Sequence, residues 1–131
     1  FLYNSNRIEF GNHTYDLHKS FGGRNGAKKK SNETLENYKS VISQDILKLQ
    51  DEFKSYIDIT PSLFTYPFGS FCKESVPIIK DLGFKSSLSC TEGINYITDD
   101  SNCLFGLKRF NRSSRTSTSA FFKKIEIMLD K

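Results

Sequence analysis

Two histidines stand five positions apart in the segment Phe10-Gly11-Asn12-His13-Thr14-Tyr15-Asp16-Leu17-His18, and they are the only two in the 131-residue chain. Imidazole is the commonest side-chain ligand for zinc-like metals and titrates near neutral pH. A hydroxyl and a carboxylate lie between the two rings, so the stretch reads as part of a metal site. Spacing constrains the geometry. On a helix of ~3.6 residues per turn, positions i and i+5 lie roughly 140° apart, which turns the two side chains away from each other. They converge only from a strand end and the turn after it, and Ile8 and Phe10 supply the apolar residues of such a strand. The alternative is a chance pair of surface or capping histidines, and spacing alone does not decide between the two.

The order of motifs along the chain resembles that of the polysaccharide deacetylases, the NodB-homology carbohydrate esterases. Gly11-Asn12-His13-Thr14-Tyr15-Asp16-Leu17-His18 is similar to their metal-binding motif. Most of that family reads His-Ser/Thr-x-x-His, and this chain has one extra residue between the histidines. In this it resembles the branch that de-N-acetylates poly-N-acetylglucosamine in bacterial biofilms, where His-Thr-Tyr-Asp-x-His is usual. Phe64-Thr65-Tyr66-Pro67-Phe68-Gly69 resembles the third family motif, Arg-x-Pro-Tyr/Phe-Gly. Ile78-Ile79-Lys80-Asp81-Leu82-Gly83-Phe84-Lys85 looks like the helix–Gly–strand unit of the family, with Glu92-Gly93-Ile94-Asn95 at the expected distance.

The resemblance implies a set of roles. His13 and His18, with an aspartate from upstream, would bind a divalent ion, zinc foremost. The ion would polarise an N-acetyl carbonyl and lower the pKa of a bound water. A second upstream aspartate would act as general base. The backbone N–H of Phe68 would help hold the tetrahedral oxyanion, with Pro67 fixing the backbone before it. Tyr66, beside Pro67, would line the sugar site or fill the core. Thr65 stands where many members carry an arginine, a departure from the family pattern at the position that usually supports the base. The late Leu-x-x-His motif is absent too, since no histidine follows His18. The aspartates of a Thr-Phe-Asp-Asp-Gly-like motif are also unmatched: Asp99-Asp100 follows Thr98 in a polar stretch and reads as a turn. The chain begins at Phe1, without a methionine, and the expectation is that residues 1–131 form the C-terminal part of a single deacetylase domain. The fold expected is α/β, a partial (β/α) barrel with its N-terminal strands missing. Such a fragment is expected to be inactive alone, within a full-length protein that is extracellular or associated with the cell envelope.

The elements that must position these residues alternate along the chain. Residues 7–12 read as a strand ending at His13, and the loop 19–31 is polar and glycine-punctuated. Ser31 or Asn32 is expected to cap a helix with Glu33 in its first turn. Leu35, Tyr38, Ile42, Ile46, Leu49, Phe53 and Tyr56 recur at steps of three and four, which predicts a helix through about residue 57 with this face in the core. Pro61 stops further helix, and residues 63–66 read as a short strand leading into Pro67. Residues 74–82 read as a helix, with Pro77 tolerated in its first turn and Gly83 ending it. Residues 84–90 and 103–110 read as buried strands. A last helix spans 117–129, with Phe121, Ile125 and Met128 or Leu129 on one face. Strand–helix alternation at this spacing predicts parallel pairing. In parallel α/β barrels the ligand site lies at the C-terminal ends of the strands, so His13 and Pro67-Phe68 should share one mouth.

Hydrophobic residues at 37% and charged residues at 26% fit one globular domain and argue against wholesale disorder. The chain is nevertheless short for a closed (β/α) barrel, which needs roughly 200 residues or more. No run approaches the ~18 apolar residues of a membrane span. The net charge of +4 is uneven. Lys19, Arg24, Lys28, Lys29 and Lys30 crowd the loop Phe21-Gly22-Gly23-Arg24-Asn25-Gly26, and Arg109, Arg112 and Arg115 form a second cluster. The aromatic residues are mostly not interleaved with these charges and no nucleic-acid motif is matched, so solvated loops and no nucleic-acid partner are expected. The glycine loop lacks the Gly-Lys-Ser/Thr ending of a phosphate loop. Cys72, Cys90 and Cys103 lack Cys-x-x-Cys spacing and read as small buried residues.

Three functions from different classes fit these residues. The first is a metal-dependent hydrolase that removes N-acetyl groups from an N-acetylglucosamine-containing polysaccharide. The second is a non-catalytic carbohydrate-binding or decayed deacetylase module. The third is a basic binding domain whose histidines are incidental. A half barrel would leave open sheet edges and apolar surface, so association with another chain that covers them is expected.

Overall fold

Parallel strands need a crossover long enough to bring the chain back, and here helices supply both returns. A computed structural model of the chain describes residues 7–19 and 24–130. Phe21, Gly22 and Gly23 of the glycine-rich loop lie outside the described residues. The elements run β1 (Gly11–Asn12), α1 (Leu35–Ile57), β2 (Leu63–Thr65), α2 (Ser75–Asp81), β3 (Ser86–Leu88) and α3 (Thr118–Leu129). Short 3-10 turns occupy Pro67–Gly69 and Ser101–Leu104. The sheet is parallel in the order β1-β2-β3, with Asn12 opposite Phe64 and Phe64 opposite Ser87. No helix among the described residues is long and apolar enough to cross a membrane.

The strands are shorter than their sequence pattern predicted. Phe10 leaves the ladder and packs its ring 5.9 Å from Phe53 on α1, so β1 begins only at Gly11. The strand expected at 103–110 is not one. The 3-10 turn at Ser101–Leu104 and the positive φ of Gly106 break the extension, and only Leu107 pairs, parallel to Leu88. Its N–H donates to the Ser87 carbonyl and its carbonyl accepts the Ser89 N–H, each at 2.8 Å.

α1 also departs from its expected start. Thr34, not Ser31 or Asn32, is the N-cap, and its hydroxyl accepts the Asn37 N–H at 3.2 Å. Glu33 does not sit in the first turn, because Arg24 pulls it inward. The Arg24 guanidinium grips both carboxylate oxygens of Glu33, and the two side chains are only 5% and 4% exposed. The Lys30 N–H at 3.1 Å and the Asn37 amide at 2.9 Å complete the shell around the carboxylate. Arg24 also donates to the Lys28 carbonyl and lies 5.3 Å over the Tyr38 ring. The basic loop is therefore not simply solvated: Arg24 is buried, while Lys19, Lys28 and Lys30 remain exposed.

Tyr38, Ile42, Ile46 and Gln50 form the buried stripe of α1. Leu35 and Tyr56, expected in the core, are exposed, and Leu49 and Phe53 are only half-buried. The cause is length. A helix of 23 residues runs about 35 Å, whereas a strand of three residues spans about 10 Å, so both helix ends overhang the sheet. Gln50 takes a core place because it is bonded there. It accepts from the Asn12 amide at 3.4 Å and donates to the Pro61 carbonyl at 3.0 Å, tying β1, α1 and the entry to β2 together. α3, capped by Ser117, shows Phe121, Ile125 and Met128 half-buried on one face; Leu129 is exposed, and none of its residues is fully buried.

Burial of Glu33 raises its pKa, but the Arg24 hydrogen bond outweighs that and holds the carboxyl at about 2, against an ordinary 4.5. A depressed folded-state pKa stabilises the fold above the unfolded value and is lost as pH falls through the folded one. Glu33→Gln should therefore lower the unfolding free energy at neutral pH by about 3 kcal/mol, at ~1.4 kcal/mol per pKa unit. In urea melts across pH, the gap between wild type and variant should close as pH falls from 4.5 toward 2.

Candidate active site

β1 hands the chain to His13 and β2 hands it to Tyr66-Pro67-Phe68. Because the two strands run parallel, both segments arrive at one edge of the sheet. His13 Nδ1 lies 2.8 Å from the backbone carbonyl oxygen of Thr65. A carbonyl can only accept, so Nδ1 donates, and in the neutral imidazole this leaves the lone pair on Nε2, the nitrogen open to a ligand role. Metal-ligating histidines are oriented in this manner, the second nitrogen tied to a backbone or carboxylate oxygen.

The His18 ring lies 5.1 Å from that of His13, centroid to centroid. Two imidazoles on one tetrahedral zinc, at Zn–N of about 2.0–2.1 Å, hold their ring centres about 5 Å apart. The pair thus fits two corners of such a site. No cluster of three His, Cys, Asp or Glu side chains suited to a metal occurs among the described residues. Asp16, between the histidines, is exposed and paired with Lys19 at 2.5 Å.

The turn linking the histidines is bent at Thr14, whose φ is 70°. A β-branched residue adopts that conformation only under constraint. Asn12 supplies one, its side-chain oxygen accepting the Thr14 N–H at 2.9 Å. The Thr14 hydroxyl is buried without a hydrogen-bond partner among the described residues. Asp45 on α1 supplies a second constraint by accepting the Tyr15 and Asp16 N–H groups.

Phe68 is the second residue of the site with left-handed backbone, its φ 57° inside the turn Pro67–Gly69. Its ring lies 4.0 Å from that of His18. Left-handed backbone at such a residue costs about 1–3 kcal/mol and clusters at functional sites. The turn closes through Gly69 N–H to the Tyr66 carbonyl at 2.9 Å and Ser70 N–H to the Pro67 carbonyl at 3.0 Å. Those bonds leave the Phe68 N–H with no acceptor among the described residues. Two glycines let the turn pack this tightly. A Cβ on Gly69 would sit 2.6 Å from the backbone nitrogen of Cys90, and one on Gly26 would collide with the Pro67 carbonyl oxygen.

Pro67 is fully buried, and its ring fixes the backbone that enters the turn. Tyr66 is fully buried as well, so of its two expected roles its side chain takes the core one. Its ring stacks on Phe71 at 4.4 Å and meets Phe64 edge-on at 5.0 Å. Burial pushes its hydroxyl pKa up, and although Ser87 lies near, no hydrogen bond of good geometry reaches the oxygen among the described residues. Of the cysteines, Cys72 and Cys103 are half-buried, but Cys90 is exposed. It flanks Gly69, and Arg109 Nη2 donates to its sulfur at 3.0 Å.

Residues 2–87 match the profile of a family described as polysaccharide deacetylase. No protein of curated function matches. Among solved structures the chain is similar to a de-N-acetylase from Aggregatibacter actinomycetemcomitans, with a TM-score of 0.71 at 17% identity, over 93% of this chain and 49% of that one. It is also similar to the deacetylase PplD of Streptococcus pyogenes, solved in complex with acetate: TM-score 0.66, 18% identity, 88% of this chain and 44% of that one. IcaB from Ammonifex degensii gives a TM-score of 0.60 at 19% identity, over 87% and 44% of the two chains. At these identities the likeness is one of fold, and the chain spans less than half the length of each of these structures.

Two substitutions separate the backbone role of this turn from a side-chain role. Tyr66→Phe should stay within about 1 kcal/mol of wild-type stability, because the hydroxyl it removes has no hydrogen-bond partner among the described residues. Gly69→Ala should cost more than about 1 kcal/mol, because both its φ and its contact with Cys90 exclude a Cβ. Denaturant melts at neutral pH read both.

Proposed function

Since the chain belongs to the polysaccharide deacetylase family and folds as part of its (β/α) barrel, we propose that it works in the N-deacetylation of an amino-sugar polysaccharide. The observation that carries this reading is the imidazole pair at the strand ends, 5.1 Å apart, with His13 Nδ1 tied to the Thr65 carbonyl. His13 and His18 would hold a divalent ion, zinc foremost. When bound there, such an ion supplies Lewis-acid polarisation of the N-acetyl carbonyl and an acidified water.

The chain's own residues account for the rest of this half of the site. The Thr65 carbonyl keeps His13 in the Nδ1–H tautomer. The Phe68 N–H, without an acceptor among the described residues, would donate to the oxygen of the tetrahedral oxyanion, a contact of the kind worth about 10²–10³ in kcat. Its ring lies against that of the exposed His18 and would bear on the placement of that imidazole. Among the described residues no carboxylate joins the histidine pair, so the general base and a further ligand are assigned to residues beyond this chain. Residues 1–131 alone would then be inactive.

The substrate we infer is an N-acetylglucosamine polymer of the cell envelope or its surroundings. The de-N-acetylase named among the similar structures supports that chemistry. The outer edge of β1 is unpaired among the described residues, and a further segment or another chain would cover it. One observation favours a second reading, a carbohydrate-binding or decayed deacetylase module: among the described residues two potential ligands meet at the site and no third joins them.

Acetate release from poly-N-acetylglucosamine, measured with and without added zinc, tests the proposal in the protein. His13→Ala and His18→Ala should each bring turnover to background, whereas Tyr66→Phe should leave it near wild type. Turnover that survives loss of both histidines overturns the metal reading. Polymer binding without any turnover establishes the second one. Zinc-dependent turnover by residues 1–131 alone would place the base within this chain, with Asp16 the first residue to test.

A further inference from the structure

Two histidines one turn apart on a helix have the N–H groups between them bonded by the helix itself. The five-residue spacing of His13 and His18 removes that support, so the N–H groups of the linking turn need other acceptors. Thr14 uses Asn12. Tyr15 and Asp16 both use Asp45, whose two carboxylate oxygens accept their N–H groups at 2.7 and 2.8 Å. Asp45 stands on α1 immediately before Ile46, which is fully buried and whose carbonyl holds the Asn12 amide at 3.1 Å. Lys48, three residues on, places its ammonium 3.8 Å from the centre of the Tyr15 ring. α1 thus grips the turn by a carboxylate, a carbonyl and a cation.

We propose that Asp45 is a positioning residue for the metal pair. By receiving the Tyr15 and Asp16 N–H groups it fixes the course of the chain between His13 and His18, and with it the ring separation that one divalent ion needs. The proposal rests on the reading of the two histidines as metal ligands. His13 has its own anchor in the Thr65 carbonyl, but His18 is exposed, and its ring contacts are those to His13 and Phe68. The placement of His18 therefore depends on the turn. Bonds to an ionised acceptor are short and about twice as strong as neutral ones, and using both oxygens fixes direction as well as distance. With both oxygens engaged by N–H groups, Asp45 acts through the backbone and not as a ligand.

Zinc titrated into the protein, followed through the His13 and His18 imidazole nitrogen resonances by NMR, reads the effect, with thermal melts of the metal-free protein beside it. Asp45→Ala should weaken zinc binding about 10–100-fold, as loss of supporting groups around metal ligands does, with the larger spectral change at His18. Asp45→Asn keeps one acceptor oxygen and should recover part of the affinity. This second variant carries the test if the alanine protein does not fold. Asp51→Ala, on an exposed face of α1, should bind zinc as wild type does. Wild-type zinc affinity in both Asp45 variants, with binding abolished by His18→Ala, overturns the proposal and leaves the metal reading standing. A lowered melting temperature at unchanged zinc affinity also overturns it, since that is a structural role alone. Zinc binding unaffected by His13→Ala and His18→Ala removes the metal reading and this proposal with it.

Discussion

The Tyr38 hydroxyl, sealed inside the core, donates to the Ala27 carbonyl at 2.6 Å and meets Ser75 Oγ at 2.7 Å. Burial keeps this phenol protonated by pushing its pKa up, so it remains a donor at any physiological pH. One side chain of α1 thereby fastens the loop before its own helix to the start of α2. Ala27 in turn donates to the Ser70 carbonyl, and Gly26 lies against the Pro67 carbonyl, so the same loop backs the turn that presents Phe68. Strands of two or three residues contribute few ladder bonds. Buried side-chain bonds between helices and loops take over that role, with the Arg24–Glu33 pair closing the far end of the loop.

Of the two non-glycine residues with strained backbone that touch the site, Thr14 lies in the turn between the histidines and Phe68 packs against His18. Neither conformation would persist in an isolated peptide. Thr14 is held by the Asn12 side chain and Phe68 by a turn whose rear is packed against Cys90 and Gly26. The surrounding fold thus over-determines both positions, which is the condition for strain to survive at a functional edge.

The order of the helices and the parallel strand order were legible in the sequence, because each rests on a local signal, 3.6-residue periodicity or strand–helix alternation; for the two histidines spacing alone did not decide, and their approach appears only in the fold. What escaped depends on partners distant in the chain. Glu33 looked like a first-turn acid until Arg24, nine residues away, claimed it. Residues 103–110 had the apolar content of a strand, but the sheet accepts only Leu107 there. Leu35 and Tyr56 keep helical periodicity yet reach past the end of the sheet, a matter of element length that periodicity does not encode. Asp45 offered only a weak clue, an acid immediately before a core isoleucine, and its use appears only once the turn between the histidines is in place.

The hydrogen bond from His13 to the Thr65 carbonyl has an evolutionary side. Its acceptor is main chain, present whatever side chain occupies position 65, proline included. The orientation of the imidazole is therefore stored in the pairing of β1 with β2 and survives any drift of the residue that delivers it. Position 65 is free to exchange side chains, threonine for arginine among them, without turning the first histidine. A one-residue slip of β2, by contrast, would silence the ring while leaving every motif in the sequence intact.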